Sequence, residues 1–109
     1  MTLSGHAVRA TVFLSEGSVW NGRLLHREIL ERALALGLAG ATASRGTEGF
    51  GRGSTLHTDR LESFADGLPI MITVIDASDR IHDFLSREEA LIAQCVVVLD
   101  DVEVFRSCE

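Results

Sequence analysis

The densest chemistry in this chain lies between Arg45 and Gly53, where Gly46, Gly49, Gly51 and Gly53 alternate with Arg45, Glu48, Phe50 and Arg52. Glycines let successive backbone N–H groups turn toward one point, and a guanidinium fork binds phosphate or carboxylate through two parallel hydrogen bonds. Arg45, Gly46, Glu48, Gly49, Phe50, Gly51 and Arg52 are therefore the candidate residues for holding a small anionic ligand. A plainer reading of the same residues stands beside this one. The glycines make tight turns, and Arg45 pairs with Glu48 or with an acidic group on a neighbouring subunit. Phe50 could stack on a ligand's base or insert into a partner's pocket, although a lone aromatic in a loop more often anchors it.

Other chemistries find little support. All ten basic residues are arginines, so Walker-type phosphate loops, lysine Schiff bases and lysine-activated nucleophiles are excluded. His6, His26, His57 and His82 never stand three or four residues apart, so no metal site is expected, and the loop histidine His57 is the one worth testing. Glu88-Glu89 and Asp100-Asp101 are adjacent pairs whose side chains a helix or strand splays apart, which suits solvated charge rather than acid–base catalysis. No catalytic set and no resident cofactor are expected. Cys95 heads an apolar run and reads as core filler, while Cys108 belongs to the tail. Two cysteines without a patterned spacing point to a reducing, cytoplasmic compartment.

The elements that position the glycine segment must come from one domain. With 109 residues, 46% hydrophobic and 24% charged, the chain has room for one core, expected over residues 7–106 with tails at 1–6 and 107–109. A net charge of −6 opposes non-specific partnership with nucleic acid or anionic lipid. No run of 18 apolar residues occurs, and Met1–His6 lacks a basic segment leading into an apolar one, so neither spanning nor secretion is expected.

Residues 7–14 alternate, with Val8, Ala10, Val12 and Leu14 on one face and Arg9, Thr11 and Phe13 on the other, as in a half-buried strand. A polar turn follows, with Trp20 closing over the next helix as a staple and Asn21 capping it. Leu25, Ile29, Leu30, Ala33, Leu34 and Leu36 recur at helical spacing, predicting a helix over about 23–36 that ends at Gly37 in a left-handed cap. A second strand is expected at 38–44, a third at 68–75 and a fourth at 95–99, the last continuing through Val102, Val104 and Phe105 as a short hairpin or an edge extension. Ser78 is expected to cap a second helix with Ile81, Phe84, Leu85, Leu91 and Ile92 on its buried stripe. Between them, residues 45–67 form a loop of about twenty residues, a length seldom kept unless it binds something.

Strand, helix, strand, strand, helix, strand is the split βαβ order of an α+β, ferredoxin-like fold: a four-stranded antiparallel sheet with two helices on one face. The third strand offers Ile70, Ile72 and Val74 to one side and Met71, Thr73 and Ile75 to the other. The fourth is apolar at both parities over 96–99. Two helices cover one face only, so copies of the chain are expected to pack through the other, the alternative being a monomer whose own long loop shields it.

The stretch Gly40-Ala-Thr-Ala-Ser-Arg45-Gly46-Thr-Glu48-Gly49-Phe50-Gly51 resembles the hallmark of the PII-like family catalogued as domain of unknown function 190. Asn21-Gly22-Arg23-Leu24 is similar to the family's helix start, Leu68-Pro69-Ile70 to its third-strand entry and Ile75-Asp76 to its exit, so the likeness spans about residues 8–105. The resemblance implies a homotrimer related to the PII signalling proteins. It implies an adenine nucleotide or small anion in clefts between subunits, and the loop at 45–67 signalling to a partner such as a membrane transport protein. Such relatives sense a ligand rather than turn one over. PII proteins carry a second basic, glycine-rich loop before the last strand; here Arg87-Glu-Glu-Ala-Leu-Ile-Ala-Gln94 has neither glycine nor lysine, which favours a smaller anion or a monophosphate over a triphosphate.

Three rivals remain to weigh. An RNA-recognition module shares the element order, but it needs stacking aromatics on its central strands, where only Phe13 is available, and the chain is acidic. An acylphosphatase-like hydrolase needs a placed asparagine, and the sole one, Asn21, reads as a cap. A trimeric scaffold that binds a partner without any small ligand is the alternative that the sequence leaves open.

Overall fold

The computed structural model of the chain describes residues 3–50, 57–58 and 67–106. Strands β1 (Gly5–Ser15), β4 (Gly40–Arg45), β7 (Pro69–Asp76) and β8 (Val96–Val104) form one antiparallel sheet in the order β4-β7-β1-β8. Two short pairs sit outside it: β2 (Val19–Trp20) with β3 (Arg23–Leu24), and β5 (Glu48–Gly49) with β6 (His57–Thr58). Helices α1 (Leu25–Leu36) and α2 (Ser78–Arg87) complete the α+β, ferredoxin-like arrangement expected from the sequence.

Alternation builds the core. Val8, Ala10 and Val12 of β1 and Ile70, Ile72 and Val74 of β7 are buried against Leu25, Ile29 and Ala33 of α1 and Ile81 and Phe84 of α2. The helices thus cover one face. Leu91 and Ile92 also join this core, but from the turn after α2 rather than from the helix itself. Leu34, expected on the buried stripe of α1, is 80% exposed because it lies a quarter-turn away from the Ile29–Ala33 line.

Helix α1 ends as its sequence requires. Gly37 sits at φ 78, its N–H reaches Leu34 O at 3.0 Å, and Leu38 N–H reaches Ala33 O at 3.2 Å, the paired closure of a Schellman cap. Its start differs from expectation. Asn21 and Gly22 both have positive φ, 48 and 78, and form the turn of the β2–β3 hairpin. The Asn-Gly pair therefore serves a type I′ turn rather than a cap. The residue preceding α1 is Leu24, which makes no side-chain capping bond. Trp20, in this hairpin, packs partly buried against the core.

The start of α2 departs in the same way. Ser78 is the first helical residue, and Ala77 occupies the cap position without a side-chain capping bond. Fully buried, Asp76 accepts from Ala77 N–H at 2.6 Å, from Ala39 N–H at 2.9 Å and from Arg80 Nε at 3.0 Å. Arg80 in turn donates through Nη2 to Leu36 O and Gly37 O at 3.1 and 2.9 Å. One ion pair thus joins the end of α1, the approach to β4, the end of β7 and the start of α2.

On the face away from the helices, register sets three rows across the sheet: Ser44, Met71, Phe13 and Val96; Thr42, Thr73, Thr11 and Val98; Gly40, Ile75, Arg9 and Asp100. Phe13, Met71, Val96 and Val98 are each 40–47% exposed, so this side presents a contiguous apolar block to solvent. It is less uniformly apolar than the sequence suggests. Threonines occupy the middle row, and Asp100, expected as a free surface charge, is held by Arg9 at 2.6 Å. Asp101 meets His6 at 3.2 Å, and Glu88 meets Arg32 at 2.6 Å. Strand β8 runs unbroken through Val104 along β1, which makes the expected extension a continuation of one edge strand.

Removing the Asp76 carboxylate strands a partly buried guanidinium and two backbone donors. Asp76→Ala is expected to lower the unfolding free energy by about 3–5 kcal/mol, and Asp76→Asn by less, as measured by urea denaturation.

Candidate functional site

Three segments converge where the long loop leaves and rejoins the sheet: the end of β1 with the turn after it, the end of β4 with β5, and the start of β7. Glu16 is the residue they share. Its backbone N–H donates to Leu68 O at 2.8 Å, and its side-chain Oε2 accepts from Arg45 Nη1 at 2.9 Å. The other carboxylate oxygen, Oε1, lies 3.5 Å from Leu68 N–H. The Arg45 guanidinium, with smaller help from the Leu68 amide, holds the Glu16 carboxyl below its ordinary range. Within its own chain Arg45 therefore pairs with Glu16 rather than with Glu48.

Glycine identity here follows from close approach. Gly67 has φ 70, and a Cβ on it would lie 2.9 Å from Glu16 Cβ and 3.0 Å from Gly17 N, so no other residue fits beneath that turn. Gly46 donates its N–H to Pro69 O at 2.8 Å, and a Cβ on Gly46 or Gly49 would come within 3.1 or 3.0 Å of Pro69 Cγ. Gly49 also pairs with His57 in the β5–β6 ladder. For these two glycines the tight-packing reading describes the geometry, and the Gly46 amide is already used.

The structure brings Arg45, Gly46, Glu48 and Gly49 together at one end of the sheet. Phe50 follows directly but is 73% exposed, so it does not anchor the loop as expected. Gly51 and Arg52, with Gly53, Arg60 and the His57 side chain, lie outside the described residues. Glu16 went unnoticed in the sequence, where a single glutamate in a polar turn carries no signal of its distant partner. Nearby, the Nδ1 atom of His26 on α1 and the hydroxyl of Ser15 are buried without a hydrogen-bond partner among the described residues. His82 meets Ser78 O through Nδ1 at 2.8 Å. The described residues hold no cluster of three or more metal-ligating side chains. Nor does any helix among them have the length and apolarity to cross a membrane.

Chemically, the arrangement is a cation at the loop root that remains open to water. The side chains of Arg45 and Glu16 are 59% and 36% exposed. The segment before β8 has a different character: Leu91 and Ile92 enter the core, and Glu88 is bound by Arg32, which also takes Glu28 at 3.1 Å. Burial there raises the Cys95 thiol above its ordinary value.

Because Glu16 titrates lower in the folded chain than in the unfolded one, its contribution to stability is complete above the ordinary carboxylate range. It is lost as pH falls through the lowered value. In Arg45→Gln, a carboxyl NMR titration is expected to show the Glu16 midpoint moving back up toward the ordinary value; an unmoved midpoint would mean that Arg45 is not its cause.

Comparison with known proteins places this geometry. A UPF0166 protein of Aquifex aeolicus (strain VF5) is 31% identical over 93 residues, covering 85% of this chain and 88% of its own. A UPF0166 protein of Methanocaldococcus jannaschii is 24% identical over 96 residues, covering 87% and 88%. Among solved structures, CPII of Thiomonas intermedia K12, a nitrogen regulatory PII-like protein bound to ADP, AMP and bicarbonate, superposes with a TM-score of 0.67. It is 17% identical, covering 95% of this chain and 91% of its own. A putative PII-like signaling protein of Thermus thermophilus gives a TM-score of 0.68 at 18% identity, covering 93% and 91%. The four-stranded antiparallel sheet and its two helices thus match the PII-like, ferredoxin-like fold. Residues 7–104 match the DUF190 family, described as Uncharacterized ACR, and the chain belongs to that family.

Proposed function

We propose that this protein is a PII-like regulatory trimer that binds an adenine nucleotide or a small oxyanion in clefts between subunits and signals to a partner through the loop at 45–67. The observation that carries the reading is the loop root. An exposed arginine ends β4 where the loop departs, held by one carboxylate, and glycines packed on Pro69 fix the backbone around it. A ligand reaching Arg45 acts directly on the base of the loop.

The apolar block on the open sheet face supports assembly. Phe13, Met71, Val96 and Val98 would leave water if copies of the chain closed around that face. The ligand class comes from likeness of fold: the Thiomonas protein binds ADP, AMP and bicarbonate. The acidic segment before β8 supports a monophosphate or bicarbonate over a triphosphate, since Glu88 and Glu89 stand where a phosphate cradle would need donors. No catalytic role is assigned, and the partner would be a membrane transport protein or another target of PII-type regulators. One observation favours a second reading, a trimeric scaffold with no small ligand: Arg45 is already paired with Glu16.

Light scattering at micromolar concentration is expected to give three chains per particle, and a monomer would remove the intersubunit cleft from the proposal. AMP, ADP or bicarbonate at one hundred times its dissociation constant is expected to stabilise each site by about 2.7 kcal/mol, seen as a raised melting midpoint. A trimer that melts identically with all three favours the scaffold.

A further inference from the structure

We infer that Glu16 is a built-in competitor for the anion that Arg45 binds: in the empty protein its carboxylate occupies the place of a ligand oxyanion, and ligand entry exchanges one for the other. The inference rests on the proposed function, because it requires Arg45 to meet a ligand.

Three features carry it. First, the Glu16–Arg45 contact is a single bond from Nη1 to Oε2 at 2.9 Å between two exposed side chains. Exposed ion pairs of this kind are weak and readily exchanged, whereas a phosphate can take a guanidinium through two bonds at once. Second, the backbone of Glu16 is pinned independently of its carboxylate. Its N–H donates to Leu68 O at 2.8 Å, and Gly67 packs directly beneath it. The side chain can therefore swing away while the turn stays in place. Third, the same carboxylate faces the Leu68 amide at 3.5 Å. Its departure changes the surroundings of both ends of the loop, Arg45 on the outgoing side and Leu68 on the returning side.

Competition of this kind has a distinctive signature: removing the competitor's charge strengthens binding of the anion but not of its neutral counterpart. Isothermal titration of the full chain with AMP and with adenosine, using wild type, Glu16→Gln and Arg45→Gln, reads this directly. Glu16→Gln is expected to bind AMP roughly two- to five-fold tighter than wild type, the range set by a weak exposed ion pair. Adenosine binding is expected to be unchanged in it. Arg45→Gln is expected to lose whatever advantage AMP holds over adenosine. Glu16→Ser, which also removes the charge, should move AMP affinity in the same direction and guards against a fold defect peculiar to one variant. If wild type binds AMP but both Glu16 variants bind it equally or more weakly, the competitor role is overturned while the proposed function stands. An equal gain for AMP and adenosine also overturns it, since charge is then not the cause. If neither wild type nor the Glu16 variants bind AMP, the inference is overturned, and the melting series with ADP and bicarbonate decides separately whether the ligand reading beneath it stands.

Discussion

Two carboxylates hold opposite ends of the antiparallel β4–β7 pair, and the rest of the molecule depends on the difference between them. Asp76 is fully buried, satisfied by two backbone donors and Arg80, and it joins both helices to the sheet. Glu16 is in water, bound to one arginine, and joins only loop roots. A buried pair whose every oxygen is committed can be broken only at large cost, whereas an exposed pair exchanges partners freely. One end of the sheet is therefore a fixed frame and the other is adjustable.

Much of the frame was legible in the sequence because it is written in local patterns. Alternation over residues 7–14 and 70–74 placed the core face correctly, and Gly37 marked the helix end through its left-handed geometry. The misreadings arose where one residue type serves two purposes. Asn21 fits a cap or a hairpin turn, and the flanking strands, two residues each, are too short to show alternation. Ser78 fits a cap, but it is already the first helical residue, and the cap position falls to Ala77, which has no side chain to bond with. Leu34 has the right spacing for the buried stripe yet faces solvent, since spacing alone does not say how wide the covered strip is.

The candidate site was legible by half. Arg45 and its glycines stood out by composition, but the partner that defines their role, Glu16, lies 29 residues away and becomes a neighbour only when β1, β4 and β7 align. Long-range pairing of a lone charged residue leaves no trace in a single sequence. Asp100 and Glu88 show the same thing: both read as free surface charges, and both are held by arginines from distant segments, Arg9 and Arg32. The open face was foreseen as greasy, yet its threonine row and ion pair emerge only from the register between strands.

Pro69, the chain's single proline, has one further effect. It is the floor on which Gly46 and Gly49 rest, and its carbonyl closes the loop by taking the Gly46 amide. The two stems of the loop are thereby clasped at a set separation. The entropy of closing such a segment grows only logarithmically, about 0.6 kcal/mol for each doubling of its length. Changes of length beyond the clasp thus cost the fold of the sheet little, and the chain can lengthen or shorten there while its foundation stays the same.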